Sequence, residues 1–142
     1  MDQIAQLDES ISALVRVLTI DERRFSSNLE VPRLNQIDLE VLSFLHRAPG
    51  STAKEIAIYL GLQPTTMQSV VNRLNKTGLL QRDKSVFKGR SIALSLTTDG
   101  LNLRQRMHAQ NLENCRQMLQ ALGEQERAAF VTNMAIIAAT FV

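Results

Sequence analysis

The sequence predicts a mainly α-helical chain with one small β-ribbon, and three observations carry that expectation. Apolar residues recur at helical spacing near both ends, two short helices joined by a glycine lie in the middle, and only between Leu79 and Thr97 does the pattern become extended. With 142 residues, 44% of them apolar, the chain is long enough for a single domain, 1–142, with its own core.

Ile4, Leu7, Ile11, Leu14 and Leu18 alternate steps of three and four, which puts them on one stripe of a first helix, in a segment that Pro32 ends. Asn35, with Asp38 three residues later, reads as the start of a second helix that turns Ile37, Val41, Leu42, Phe44 and Leu45 inward and stops before Pro49-Gly50. Thr52 and Glu55 have capping-box spacing, so a third helix should run from Ala53 to Leu60, where Gly61 breaks it. Pro64 suits the first position of a fourth helix, which continues to about Thr77 with Gly78 as its stop. Leu79–Arg82 and Ser91–Leu96 read as strands, the second alternating through Ile92, Leu94 and Leu96, around a hairpin tip from Asp83 to Arg90. Thr97-Thr98-Asp99-Gly100 opens a long helix to about Leu122. After Gly123 a last helix carries Phe130, Met134, Ile137 and Phe141 in one stripe, widened by Val131.

Net charge is only +2, but the charges are segregated: residues 51–100 carry seven Lys/Arg against three Asp/Glu, whereas residues 1–50 carry five against eight. A basic segment within a near-neutral chain suits a partner rich in phosphates. The third and fourth helices meet the size demands of a helix-turn-helix: Ala57 is small where the helices approach, Gly61 lies in the turn, and Ile56, Leu60, Leu62, Met67 and Val70 supply apolar contacts. On the fourth helix Met67, Val70, Val71 and Leu74 face inward, leaving Thr65, Thr66, Gln68, Ser69, Asn72 and Arg73 outward, with Gln63 just before them. Residues 63–82 contain no Asp or Glu. Such a face suits a DNA major groove, where Gln and Asn can pair with adenine and hydroxyls reach phosphates near the helix N-terminus. Arg73 is expected on a phosphate. A slender ribbon bearing Lys84, Lys88 and Arg90 can lie on the backbone or enter the minor groove.

These residues together resemble the MarR family of bacterial repressors. The resemblance is carried by Leu34 and the helix after it, by Thr52-Ala53-Lys54-Glu55-Ile56-Ala57, by Val71-Asn72-Arg73-Leu74-Asn75-Lys76-Thr77-Gly78-Leu79, and by Arg82, Arg90 and Leu96-Thr97-Thr98-Asp99-Gly100. It implies a winged helix-turn-helix lobe over 34–100, flanked by N- and C-terminal dimerisation helices in 1–33 and 101–142. It also implies a homodimer through helices that include Ile4, Leu7, Ile11, Phe130, Met134, Ile137 and Phe141, double-stranded DNA as the partner, and room for a small-molecule effector that no motif here identifies. One departure concerns the wing: where the family usually has Asp two residues before the tip Arg, this chain has Lys88.

The leading expectation is therefore a repressor on a pseudo-palindromic operator, and the competing one a winged-helix module that binds another protein. The competitor would be favoured by wing cations paired within the protein. An enzyme is not expected, since no nucleophile, base and oxyanion site come together in the sequence. His46 falls at a helix end, where a cation suits the dipole. His108 and Cys115 are seven apart on the fifth helix, where a partly buried inert thiol is the simplest reading. No metal site, cofactor or membrane span is expected, and a cytoplasmic location follows from the acidic N-terminus and the short apolar runs.

Overall fold

In the computed structural model, residues 2–19 and 34–142 are described, the side chains of Phe87 and Lys88 excepted, and Pro32, the expected end of the first segment, lies outside them. The described elements are α1 (Gln3–Thr19), α2 (Gln36–Arg47), α3 (Ala53–Leu60), α4 (Pro64–Lys76), β1 (Leu80–Lys88), β2 (Ser91–Leu96), α5 (Thr98–Gln120) and α6 (Glu124–Phe141). They divide into two compact units, Met1–Gln105 and Arg106–Val142.

Helix starts in the first unit coincide with side chains that accept otherwise unpaired backbone N–H groups. Asp2 Oδ1 accepts from Ala5 at 2.7 Å. Asn35 and Asp38 form a reciprocal capping box, each carboxamide or carboxylate oxygen accepting from the other's N–H. Thr52 accepts from Glu55 N–H at 3.2 Å. Thr97 Oγ1 accepts from Gly100 N–H at 3.0 Å. The α4 start has Pro64 in place of a side-chain cap.

The core of this unit is built from Val41, Leu42 and Leu45 of α2, Ile56 and Ala57 of α3, Met67, Val70, Val71 and Leu74 of α4, and Leu79, Leu80, Ala93, Leu94 and Leu103 around them. All four inward residues expected on α4 are buried, whereas Ile37 and Phe44 of α2 and the turn residues Leu60 and Leu62 are only half-buried. The α3–α4 turn closes with Leu62 N–H donating to the Ala57 carbonyl at 2.9 Å and Gly61 N–H to that of Ile58 at 3.4 Å. That pairing places Gly61 at φ +73°, where a side chain would be strained.

The β-ribbon departs from its expected bounds. β1 runs on to Lys88, so the tip is only Gly89-Arg90, between the pair Lys88↔Ser91. The pairing jumps from Asp83↔Ala93 to Phe87↔Ile92, and Lys84, Ser85 and Val86 form a bulge. Asp83 Oδ1 holds this bulge by accepting from Ser85 N–H at 3.0 Å and Ser85 Oγ at 2.6 Å. β2 does not bury strictly alternate residues either: Ala93 is buried beside Leu94. On the other edge of β2, Leu94 N–H donates to the Ser51 carbonyl at 2.9 Å and Gly50 N–H to the Leu94 carbonyl at 2.8 Å.

In the second unit α5 ends at Gln120, two residues earlier than expected, because Ala121 and Leu122 close the helix in tighter turns. Arg127 of α6 caps that end, its Nε donating to the Leu119 carbonyl at 2.9 Å and to Leu122 at 3.3 Å. No helix among the described residues is long and apolar enough to cross a membrane.

Candidate nucleic-acid interface

α4 presents a continuous exposed polar face. Gln63 precedes it, and Thr65, Thr66, Gln68, Ser69 and Asn72 are all exposed, while Met67, Val70, Val71 and Leu74 anchor the opposite side in the core. The first turn carries no acidic residue and no side-chain cap, so its N–H groups point outward unneutralised, a setting suited to an anion.

Arg73, exposed on the same helix, has a partner beneath it. Its Nη1 donates to Asp38 Oδ2 at 2.7 Å and its Nη2 to Asp38 Oδ1 at 2.5 Å, with the Asp38 side chain fully buried and that of Arg73 44% exposed. The hydrogen bond to Asp38, helped by its charge and opposed by desolvation, holds the guanidinium pKa above the ordinary arginine value. Arg73 therefore anchors α4 to α2 while part of its guanidinium side chain stays exposed on the outward face. Sequence spacing offered no signal for this pair, because Asp38 was already accounted for by the capping box.

A second network joins α4 to the ribbon. Asn72 Oδ1 accepts from Gln68 Nε2 at 3.1 Å and from Arg82 Nη2 of β1. With its amide oxygen turned to Arg82, Asn75 accepts from Nη1 at 3.2 Å and donates to the Leu80 carbonyl at 3.2 Å. Arg82, not among the expected site residues, thus grips two α4 side chains three positions apart.

Along the ribbon, Lys84 is exposed in the bulge and Arg90 at the tip, and among the described residues neither is paired with a carboxylate. The Lys88 side chain lies outside the described residues, so the structure places only its backbone, opposite Ser91. Asp83, held by the Ser85 hydroxyl and then the Ser85 N–H, has its pKa lowered from the ordinary carboxylate value.

The end stripes are largely uncovered. Ile4, Leu7 and Ile11 are exposed in the first unit, as are Met134, Ile137 and Phe141 in the second, where Phe130 is half-buried. Ile4 at 80% and Phe141 at 86% are too exposed to serve as core of this chain alone. Cys115 is exposed, which corrects the expectation of a partly buried thiol. Among the described residues no three His, Cys, Asp or Glu side chains gather to hold a metal ion.

Comparison with known proteins agrees with this architecture. The profile of the MarR family matches residues 34–91. The HTH-type transcriptional repressors Mb2911 of Mycobacterium bovis and Rv2887 of Mycobacterium tuberculosis are 30% identical to this chain over 96 residues, 68% of it and 69% of each of them. Among solved structures, the PcaV transcriptional regulator from Streptomyces coelicolor superposes with a TM-score of 0.72 at 24% identity, covering 98% of this chain and 97% of its own. Streptococcus pneumoniae FabT, solved in complex with DNA, gives a TM-score of 0.81 at 17% identity with the same coverage of each chain. At these identities the two structures speak to the fold.

Proposed function

The chain belongs to the MarR family, and on that premise we propose that it is a homodimeric, sequence-specific DNA-binding repressor that sets one α4 helix into each half of a pseudo-palindromic operator. The observation that carries this reading is the face of α4: exposed, polar, free of acidic residues over 63–82, and rigidly backed by four buried apolar residues. Gln63, Thr65, Thr66, Gln68, Ser69 and Asn72 are its contacts in the major groove or on the flanking phosphates. Lys84, Lys88 and Arg90 are the ribbon's contacts with backbone or minor groove. The lobe over 34–100 reads DNA, and the helices in 1–33 and 101–142 make the dimer by covering the Ile4 and Phe141 stripes. The protein is cytoplasmic and has no catalytic role. A small-molecule effector fits the reading as a modulator whose chemistry no residue here specifies.

The same fold could present α4 or the ribbon to another protein. Lys84 and Arg90, unpaired among the described residues, favour the nucleic-acid reading over that one.

The test is a pair of titrations at one salt concentration, on a duplex selected from a random pool and on scrambled DNA. Gln68→Ala should cost roughly 1–3 kcal/mol on the selected duplex and little on the scrambled one. If the combined loss of Gln68 and Ser69 side chains left the ratio of the two affinities unchanged, α4 would not be the reading head.

A further inference from the structure

Asn72 lies in the middle of the outward face of α4, and its amide has been deprived of its acceptor. A carbonyl oxygen carries two lone pairs. At Asn72 one accepts from Gln68 Nε2 at 3.1 Å, a turn earlier, and the other from Arg82 Nη2. Arg82 is fixed in turn by its second arm on Asn75, whose own amide is oriented by the Leu80 carbonyl. A guanidinium offers donors and no acceptor, so it can hold Oδ1 in only one sense. What Asn72 has left to offer is Nδ2, with two N–H groups.

We propose that Arg82 is a specificity-determining positioning residue: by occupying Oδ1 it turns Asn72 into a donor-only reader that selects guanine. This rests on the reading of α4 as the DNA-reading helix. A free asparagine pairs with adenine by accepting from N6 and donating to N7. Asn72 can do so only by giving up a hydrogen bond to a cation, which is about twice as strong as a neutral one. Left in place, it sets N–H groups against the adenine amine. The major-groove edge of guanine instead presents two acceptors, O6 and N7, which match two donors. Gln68 is not restricted in the same way, since it spends one N–H on Asn72 and keeps its oxygen free.

The experiment selects duplexes from a random pool with the full chain and with Asn72→Ala, which identifies the position that Asn72 reads. Guanine is expected there for the unmodified chain, and Arg82→Met should move that position toward adenine while the others hold. A second arm needs only the unmodified chain and Asn72→Ala. Inosine at that position keeps O6 and N7 and should bind as guanine does. In 2,6-diaminopurine an amine replaces O6, and binding should weaken roughly tenfold in the unmodified chain but not in Asn72→Ala.

Adenine as the selected base, equal binding of guanine and 2,6-diaminopurine, or an Arg82→Met profile identical to the original would each overturn the inference and leave the function standing. An Asn72→Ala profile unchanged at every position would do the same. Should Arg82→Met fail to fold, the base-analogue arm decides. Equal binding of all duplexes by the unmodified chain would remove the proposed function, and this inference with it.

Discussion

The buried carboxylate of Asp38 receives both prongs of the Arg73 guanidinium, thirty-five residues later in the chain, while the same carboxylate accepts from Asn35 N–H at the start of α2. One side chain thus closes a helix start and fastens α4 to it. Arg73→Ala leaves a buried anion without its cation. The expected loss is about 2 to 3 kcal/mol in urea unfolding, below that of a fully buried pair because water reaches one side of the guanidinium. Because the Arg73 pKa is raised, this contribution is complete below the ordinary arginine range and fades only as pH climbs through the raised value in strong alkali. The difference in stability between the two proteins should therefore stay level from neutral to mildly alkaline pH, and a marked slope there would count against the pair.

Gly100 admits no side chain. A Cβ there would sit 1.9 Å from the Leu79 carbonyl oxygen, so Gly100→Ala must push backbone apart. A loss of at least about 2 kcal/mol is expected, read as a lowered thermal midpoint. An unchanged midpoint would mean the junction is looser than the packing indicates.

The ribbon cations should act on affinity and not on choice of sequence. Lys84→Ala, Lys88→Ala and Arg90→Ala are each expected to weaken binding to selected and scrambled duplexes alike and to reduce the salt slope by about one unit for each phosphate no longer neutralised. Slopes identical to that of the unmodified protein would take these residues off the DNA.

Asp83 gives the bulge a pH signature. Its carboxylate pKa is lowered by Ser85, so the hold on Ser85 is complete above the ordinary carboxylate value and is lost as pH falls through the lowered one. Asp83→Asn should abolish any acid-induced change in the amide signal of Ser85 measured by NMR. Persistence of the same transition in the variant would assign it to another group.

Dimerisation is the remaining expectation. Exposed Ile4, Leu7, Ile11, Met134, Ile137 and Phe141 would leave a lone chain with more apolar surface than soluble monomers carry. Sedimentation at micromolar concentration should show a dimer, and removal of 127–142 should give an aggregating or unfolded product, in part because Arg127 caps α5. A well-behaved monomer of full length would contradict this.

Helix starts and stops were legible because they depend on neighbours in sequence: Asn35 with Asp38, Thr52 with Glu55, Gly61 and Pro64 act over three or four residues. The outward face of α4 was legible for the same reason, since helical period alone separates Gln68 from Met67. What the sequence could not show were partners chosen by tertiary packing. Arg73 looks like any basic residue on a polar face until Asp38 is brought under it, and Arg82 reads as a strand residue until α4 lies beside β1. The ribbon runs longer than expected because Lys84 and Ser85 break the alternation ahead of Val86 and Phe87, and a bulge held by Asp83 absorbs that interruption.

Thr97 ties the entrance of α5 to the exit of α4, its Oγ1 donating to the Gly78 carbonyl at 2.6 Å and its N–H to that of Leu79 at 3.2 Å, with Gly100 pressed onto the same carbonyl. Mechanically this is a welded corner from which the nine-residue β1 projects. Because the bulge takes three residues out of the ladder, the ribbon is only as long as the six residues of β2, about 20 Å, so a tilt of about 5° in the first turn of α5 displaces Arg90 by about 1.7 Å. A shift of that size carries a hydrogen bond beyond its working distance. The phosphate grip proposed for the ribbon is therefore one that leverage at the corner would release, with no side chain of the ribbon changing its charge or rotamer.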